Sequence, residues 1–160
     1  MKIFSIFLLL FGLADFAEAR GRVYCDRYVT ANVVGYSIYS KRGYDIGTSV
    51  FTQRNPCFES ARIANASRQG IVCSPYSKNG VRGYSIYRIR DRRDLGTSVF
   101  KSLRKCNRAV QTAIDRLFCA PYAERRSGKR GYSVYSVRSG KDLGRTIYSS
   151  LESCNRYLRR

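Results

Sequence analysis

The chain has no histidine and no tryptophan among its 160 residues. It has one methionine, three prolines and only 11 acidic residues against 30 basic ones. Each shortage excludes something. Without imidazole there is no Ser-His-Asp or Cys-His relay, no histidine-based ribonuclease chemistry and no imidazole metal site. The few carboxylates are scattered, so no pair stands out for acid–base cleavage of a glycoside. None of the six cysteines falls in a Cys-x-x-Cys pair, which turns the reading from a metal site to disulfides. Long apolar runs are missing too, with one exception at Ile3–Ala14. That run is shorter than the roughly 20 residues needed to cross a bilayer. It follows Met1-Lys2 and precedes Ala17-Glu18-Ala19, the arrangement of a cleavable export signal over residues 1–19. Cleavage after Ala19 leaves 29 basic and 9 acidic residues, a net charge of +20. The protein is therefore expected to be secreted or periplasmic.

What is present is a folded, strongly basic chain. Its 44% hydrophobic and 13% aromatic content is too high for a disordered basic tail. It also repeats itself. Gly35-Tyr-Ser-Ile-Tyr39 recurs as Gly83-Tyr-Ser-Ile-Tyr87 and Gly131-Tyr-Ser-Val-Tyr135. Asp45-Ile-Gly-Thr-Ser-Val-Phe51 matches Asp94-Leu-Gly-Thr-Ser-Val-Phe100 and Asp142-Leu-Gly-Arg-Thr-Ile-Tyr148. One cysteine precedes each Gly-Tyr (Cys25, Cys73, Cys119) and one follows each Asp motif (Cys57, Cys106, Cys154).

Val23–Tyr28, Gly35–Ser40 and Thr48–Phe51 are β-branched and aromatic, separated by turn residues, and read as strands. After Phe100 the apolar residues Leu103, Cys106, Ala109, Val110, Ala113, Ile114 and Leu117 follow helical spacing. Ser149-Ser-Leu-Glu152 has the form of a capping box at the corresponding place. The expected fold is α+β: three tandem disulfide-stapled repeats over 20–68, 69–116 and 117–160. Each repeat would be a three-stranded antiparallel sheet plus one helix. In outline, the order of three strands and a helix, with Leu-Gly-Thr at strand three and Ser-Leu at the helix start, resembles plant ethylene-response-type DNA-binding domains. The likeness implies a fold analogy, and no residue roles are carried over from it.

Two disulfide frames remain open from sequence. Cys25–Cys57, Cys73–Cys106 and Cys119–Cys154 pair within units. The rival frame has Cys57–Cys73 and Cys106–Cys119, with Cys25–Cys154 closing a ring. The first is favoured because units this small need a staple to hold a core.

Asp45, Asp94 and Asp142 read as turn residues beside a tolerant glycine. Asn65-Ala-Ser67 fits a glycosylation acceptor. Strand alternation puts Tyr39, Tyr87 and Tyr135 on one sheet face, either as packing between units or as platforms for bases or sugars.

The charge points furthest toward function. It is spread at +5, +8 and +7 over the three units, and 23 of the 30 bases are arginine, the side chain suited to bidentate phosphate and carboxylate contacts. Candidate polyanion contacts are Lys41, Arg42, Arg88, Arg90, Arg92, Arg93, Arg138 and Lys141 in the hairpin connections. Lys101, Arg104 and Lys105 cluster near the second helix, and Arg125, Arg126, Lys129 and Arg130 precede the third hairpin. If the units stack in register, the hairpin tips form a basic stripe. The expectation is a binding protein with no enzymatic activity, no cofactor and no metal. Its partner would be a polyanion: nucleic acid, an anionic envelope polymer or membrane surface, or a sulfated glycan. The alternative is an interaction or inhibitor protein for an acidic protein partner.

Overall fold

The computed structural model describes residues 23–124, 126–144 and 146–160. The expected signal segment 1–19 and the candidate contact Arg125 lie outside the described residues.

The architecture is α+β, with three small antiparallel sheets, three helices and three disulfides. In order, β1 (Val23–Thr30), β2 (Val33–Ser40) and β3 (Asp45–Phe51) precede α1 (Arg54–Ser67). Then β4 (Ile71–Lys78), β5 (Val81–Arg88) and β6 (Arg93–Asp94) precede α2 (Leu103–Thr112). Last come β7 (Leu117–Ala123), β8 (Arg130–Ser136) and α3 (Leu151–Leu158). The leading hairpins share one register: Cys25 faces Ile38, Cys73 faces Ile86 and Cys119 faces Val134.

The third sheet departs from expectation, because it has two strands. Among the described residues, its third segment meets β8 at isolated bridges, Asp142 to Tyr135 and Tyr148 to Tyr132, instead of forming a strand. In the second sheet β6 is two residues long, and Phe100 rejoins at Tyr84 by two backbone hydrogen bonds. In β3 the same detour appears as a register shift between Tyr36 and Ile38. The detoured residues give up ladder bonds and turn to the neighbouring sheet. Thr48 Oγ1 lies 3.4 Å from the Tyr87 hydroxyl and Thr97 Oγ1 lies 2.8 Å from that of Tyr135. The motif glycine makes the crossing geometry fit. A methyl at Gly35, Gly83 or Gly131 would stand 2.6, 2.6 or 2.5 Å from the carbonyl oxygen of Phe51, Phe100 or Tyr148.

The disulfides are Cys25–Cys57, Cys73–Cys106 and Cys119–Cys154. Each ties a leading strand to the helix packed on its sheet. The cores run across the boundaries between sheets. One joins Ile38, Ile46, Phe51 and Ala61 to Val72, Tyr87 and Ile89. The other joins Ile86, Leu95, Phe100 and Val110 to Phe118, Val134, Tyr135 and Leu151. Segments of about 45 residues bury too little apolar surface alone, and sharing a core with the neighbour makes up the deficit.

Two local readings change. The helical spacing through Leu117 stops at Thr112, because Ala113 is extended and Asp115 and Arg116 adopt left-handed backbone (φ 48° and 62°). Leu117 therefore opens β7. The cap of α3 is Ser150, whose hydroxyl accepts from the Ser153 amide at 3.1 Å while Ser153 reaches back. Ser149 and Glu152 do not form the box. No helix among the described residues is long and apolar enough to cross a membrane. Three disulfides fit an oxidising, extracytoplasmic compartment.

Candidate functional site

The hairpin tips between second strands and third segments emerge at one end of the sheets. Between them lies an open groove of about 990 Å³. Lys41 and Arg42 come from the first tip, Arg88, Arg90 and Arg92 from the second, and Arg138 from the third. Arg68 and Arg116, in the links from helix to following strand, complete the basic lining. Those eight bases face two acids, Asp91 and Asp115. So many cations around one concavity raise the local potential and concentrate anions.

Arg88 is the exception among them. It is 6% exposed, and its guanidinium donates to Asp91 Oδ1 at 2.8 Å and Oδ2 at 2.5 Å. It also donates to the Val137 carbonyl at 3.0 Å and to that of Arg138. This side chain ties the second tip to the third and has little left for a ligand. The same pairing holds the Asp91 carboxyl below the usual carboxylate range. The remaining seven bases of the groove are exposed.

Backbone conformation marks the groove as well. Arg68, Arg92, Asp115 and Arg116 have φ of 54°, 61°, 48° and 62°; among the described residues, Asn79 is the one left-handed non-glycine residue outside the groove. Glycine would sit there at lower conformational cost. Side chains kept in such conformations cluster where they are used. Tyr44, 54% exposed, gives the groove its aromatic surface, with the Arg92 guanidinium 4.9 Å from the ring centroid.

The other sequence candidates fall elsewhere. Arg93 and Lys141 are exposed near the tips but do not line the groove. Lys101, Arg104 and Lys105 are exposed at the start of α2, away from it. Arg126, Lys129 and Arg130 flank the β7–β8 turn, at the opposite end of that hairpin from Arg138. The stacking platform is overturned for two of its three tyrosines. Tyr87 and Tyr135 are 2% and 0% exposed and lie in the shared cores, with burial pushing both hydroxyls up to about 12. Tyr39 is half-buried and stacked on Tyr24 at 5.6 Å. The repeated acids are held from within: the buried Ser37, Ser85 and Ser133 hydroxyls donate to Asp45, Asp94 and Asp142. The amide of Asn65 is engaged at both atoms, with Nδ2 donating to the Val23 carbonyl and Oδ1 accepting its N–H, each at 2.9 Å. Its position on α1 leaves the acceptor sequence in use as a structural clasp.

Sequence reasoning missed Arg68, Arg116 and Tyr44. The two arginines were legible only as isolated charges after a helix. Their convergence depends on left-handed backbone, at the cap of α1 for Arg68 and in the link after α2 for Arg116, that no pattern in the chain announces. Comparison with protein-family models, curated proteins and solved structures finds no match.

Proposed function

We propose that the chain is an exported polyanion-binding protein, built from three tandem repeats of one disulfide-stapled unit, that holds its ligand in the groove across the hairpin tips. The observation that carries this reading is the convergence of seven exposed bases from three successive sheets and two links on one concavity containing two acids. A partner protein with one acidic patch would be served by a local cluster. A groove spanning three sheets suits an extended anion with repeated charge. Arginine predominates in it, and its planar fork matches phosphate, sulfate and carboxylate oxygens. Among the ligands considered, nucleic acid, anionic envelope polymers and headgroups, and sulfated glycans share that chemistry. Contacts of this kind position a backbone without reading a sequence, and no catalytic step is assigned to the groove.

The test is a binding screen of the exported, disulfide-bonded protein against duplex DNA, a sulfated glycan, anionic vesicles and an acidic protein, each titrated with salt. The expected result is tight binding to a linear polyanion, with log K falling steeply with log salt. Preference for the acidic protein over all three polyanions would establish the alternative partner.

A further inference from the structure

Each boundary between sheets buries an outer face of the following sheet, and among the described residues no sheet precedes the first. Val72 and Phe118, one residue before their strand cysteines, are 0% exposed, whereas Tyr24 at the same place is 44% exposed. Tyr87 and Tyr135 are sealed, whereas Tyr39 is half-buried and its ring rests on Tyr24. The last sheet shows the complement. Ile46 and Leu95 lie in cores shared with the next sheet, at 0% and 1% exposure. Leu143, in the same motif position, is 55% exposed. Among the described residues, the last sheet thus exposes one half of a junction and the first sheet the other half.

We propose that a second copy of this chain fills these halves, its Leu143 edge docking on the Tyr24–Tyr39 face, head to tail. The occupant is argued from continuity. The same motif positions already meet twice within one chain, so the contact extends an interface the fold has shown to pack. Two different patches meet, so the association is heterologous and grows beyond a dimer or closes into a ring. Asp26 stands on the open face where the internal junctions have Ser74 and Ala120. The contact between copies is therefore more polar than the internal ones, and reversible. The chain's charge of +19 opposes it, and salt relieves that repulsion. Self-association thus strengthens as salt rises, the opposite of polyanion binding. It does not rest on the polyanion reading, because no polyanion is needed.

Sedimentation of the exported protein alone, over a range of concentration and salt, tests this. Wild type is expected to sediment as growing species as both increase. Tyr24→Arg and Leu143→Arg, both at exposed positions, are each expected to weaken self-association by at least about tenfold. Near-ultraviolet circular dichroism shows whether each variant keeps its fold. An equimolar mixture is the decisive arm, since each variant retains the half that the other has lost. Recovery of a heterodimer supports the head-to-tail contact. A wild type that stays monomeric throughout, variants that associate as wild type does, or a mixture that fails to recover would each overturn it. The monomeric outcome would leave the Tyr24–Tyr39 face to a different partner.

Discussion

Thr97 and Tyr135 meet hydroxyl to hydroxyl at 2.8 Å across the boundary between the second and third sheets, in the same way that Thr48 meets Tyr87 one boundary earlier. Both tyrosines are buried with their hydroxyls pushed up to about 12. An unfolded tyrosine releases its proton near pH 10. From there to about pH 12 the unfolded chain sheds protons that the folded chain keeps, so stability is full below pH 10 and falls as pH rises through this window. Replacing both residues, Tyr87→Phe with Tyr135→Phe, should cost about 1 kcal/mol per lost hydrogen bond at neutral pH. It should also flatten the alkaline decline in denaturant midpoint. A decline as steep as that of wild type would show that other groups cause it.

The left-handed arginines separate binding from folding. Arg68→Gly, Arg92→Gly and Arg116→Gly combined should leave thermal stability within about 1 kcal/mol of wild type, because glycine accepts that backbone. The slope of log K for duplex DNA against log salt should drop by up to about 3 units. Lys101→Ala, Arg104→Ala and Lys105→Ala, away from the groove, should change it far less. Equal effects of the two triple variants would remove the groove from its proposed role.

Ser60 of α1 donates to Asn107 Oδ1 of α2 at 3.0 Å, with both residues buried. In α3, Asn155 follows its cysteine as Asn107 does, but it is buried and neither amide atom has a partner among the described residues. The position matching Ser60 is Ala109. Ser60→Ala should therefore cost about 1–3 kcal/mol by stranding Asn107. Ala109→Ser is expected to raise the midpoint by supplying Asn155 with a partner. Chemical denaturation with the disulfides intact reads both changes.

Gly83→Ala should destabilise by about 2 kcal/mol or more, since the new methyl would collide with a backbone oxygen that cannot swing aside. Gly80→Ala is the control for a glycine with open space around it, although its φ of 75° adds modest strain. A Gly83 variant as stable as wild type would mean that the third segment shifts freely.

The strands, the helices and the α+β class were legible because period-two and helical spacing survive in short segments. The favoured disulfide frame matched the structure for a physical reason, since units of this size need a cross-link between their strand and helix. The two-stranded third sheet was not legible, because Asp142–Tyr148 resembles β3 in composition. The tyrosines were correctly placed on one face. What covers that face is a question of how sheets stack, which alternation along a single strand does not address. Arg88 looked like its charged neighbours, and only the arrival of the third tip turned it inward.

The sealing of the cysteines bears on durability. Cys57, Cys73, Cys106, Cys119 and Cys154 are 0% exposed and Cys25 is 8% exposed. Reduction requires a thiolate to reach a sulfur atom in line with the bond, and here packed side chains stand in the way. Loss of the cross-links is then timed by how often the fold opens, not by how much reductant surrounds it. A protein released among mixed thiols would keep its crosslinks through brief encounters and lose them only as it unfolds.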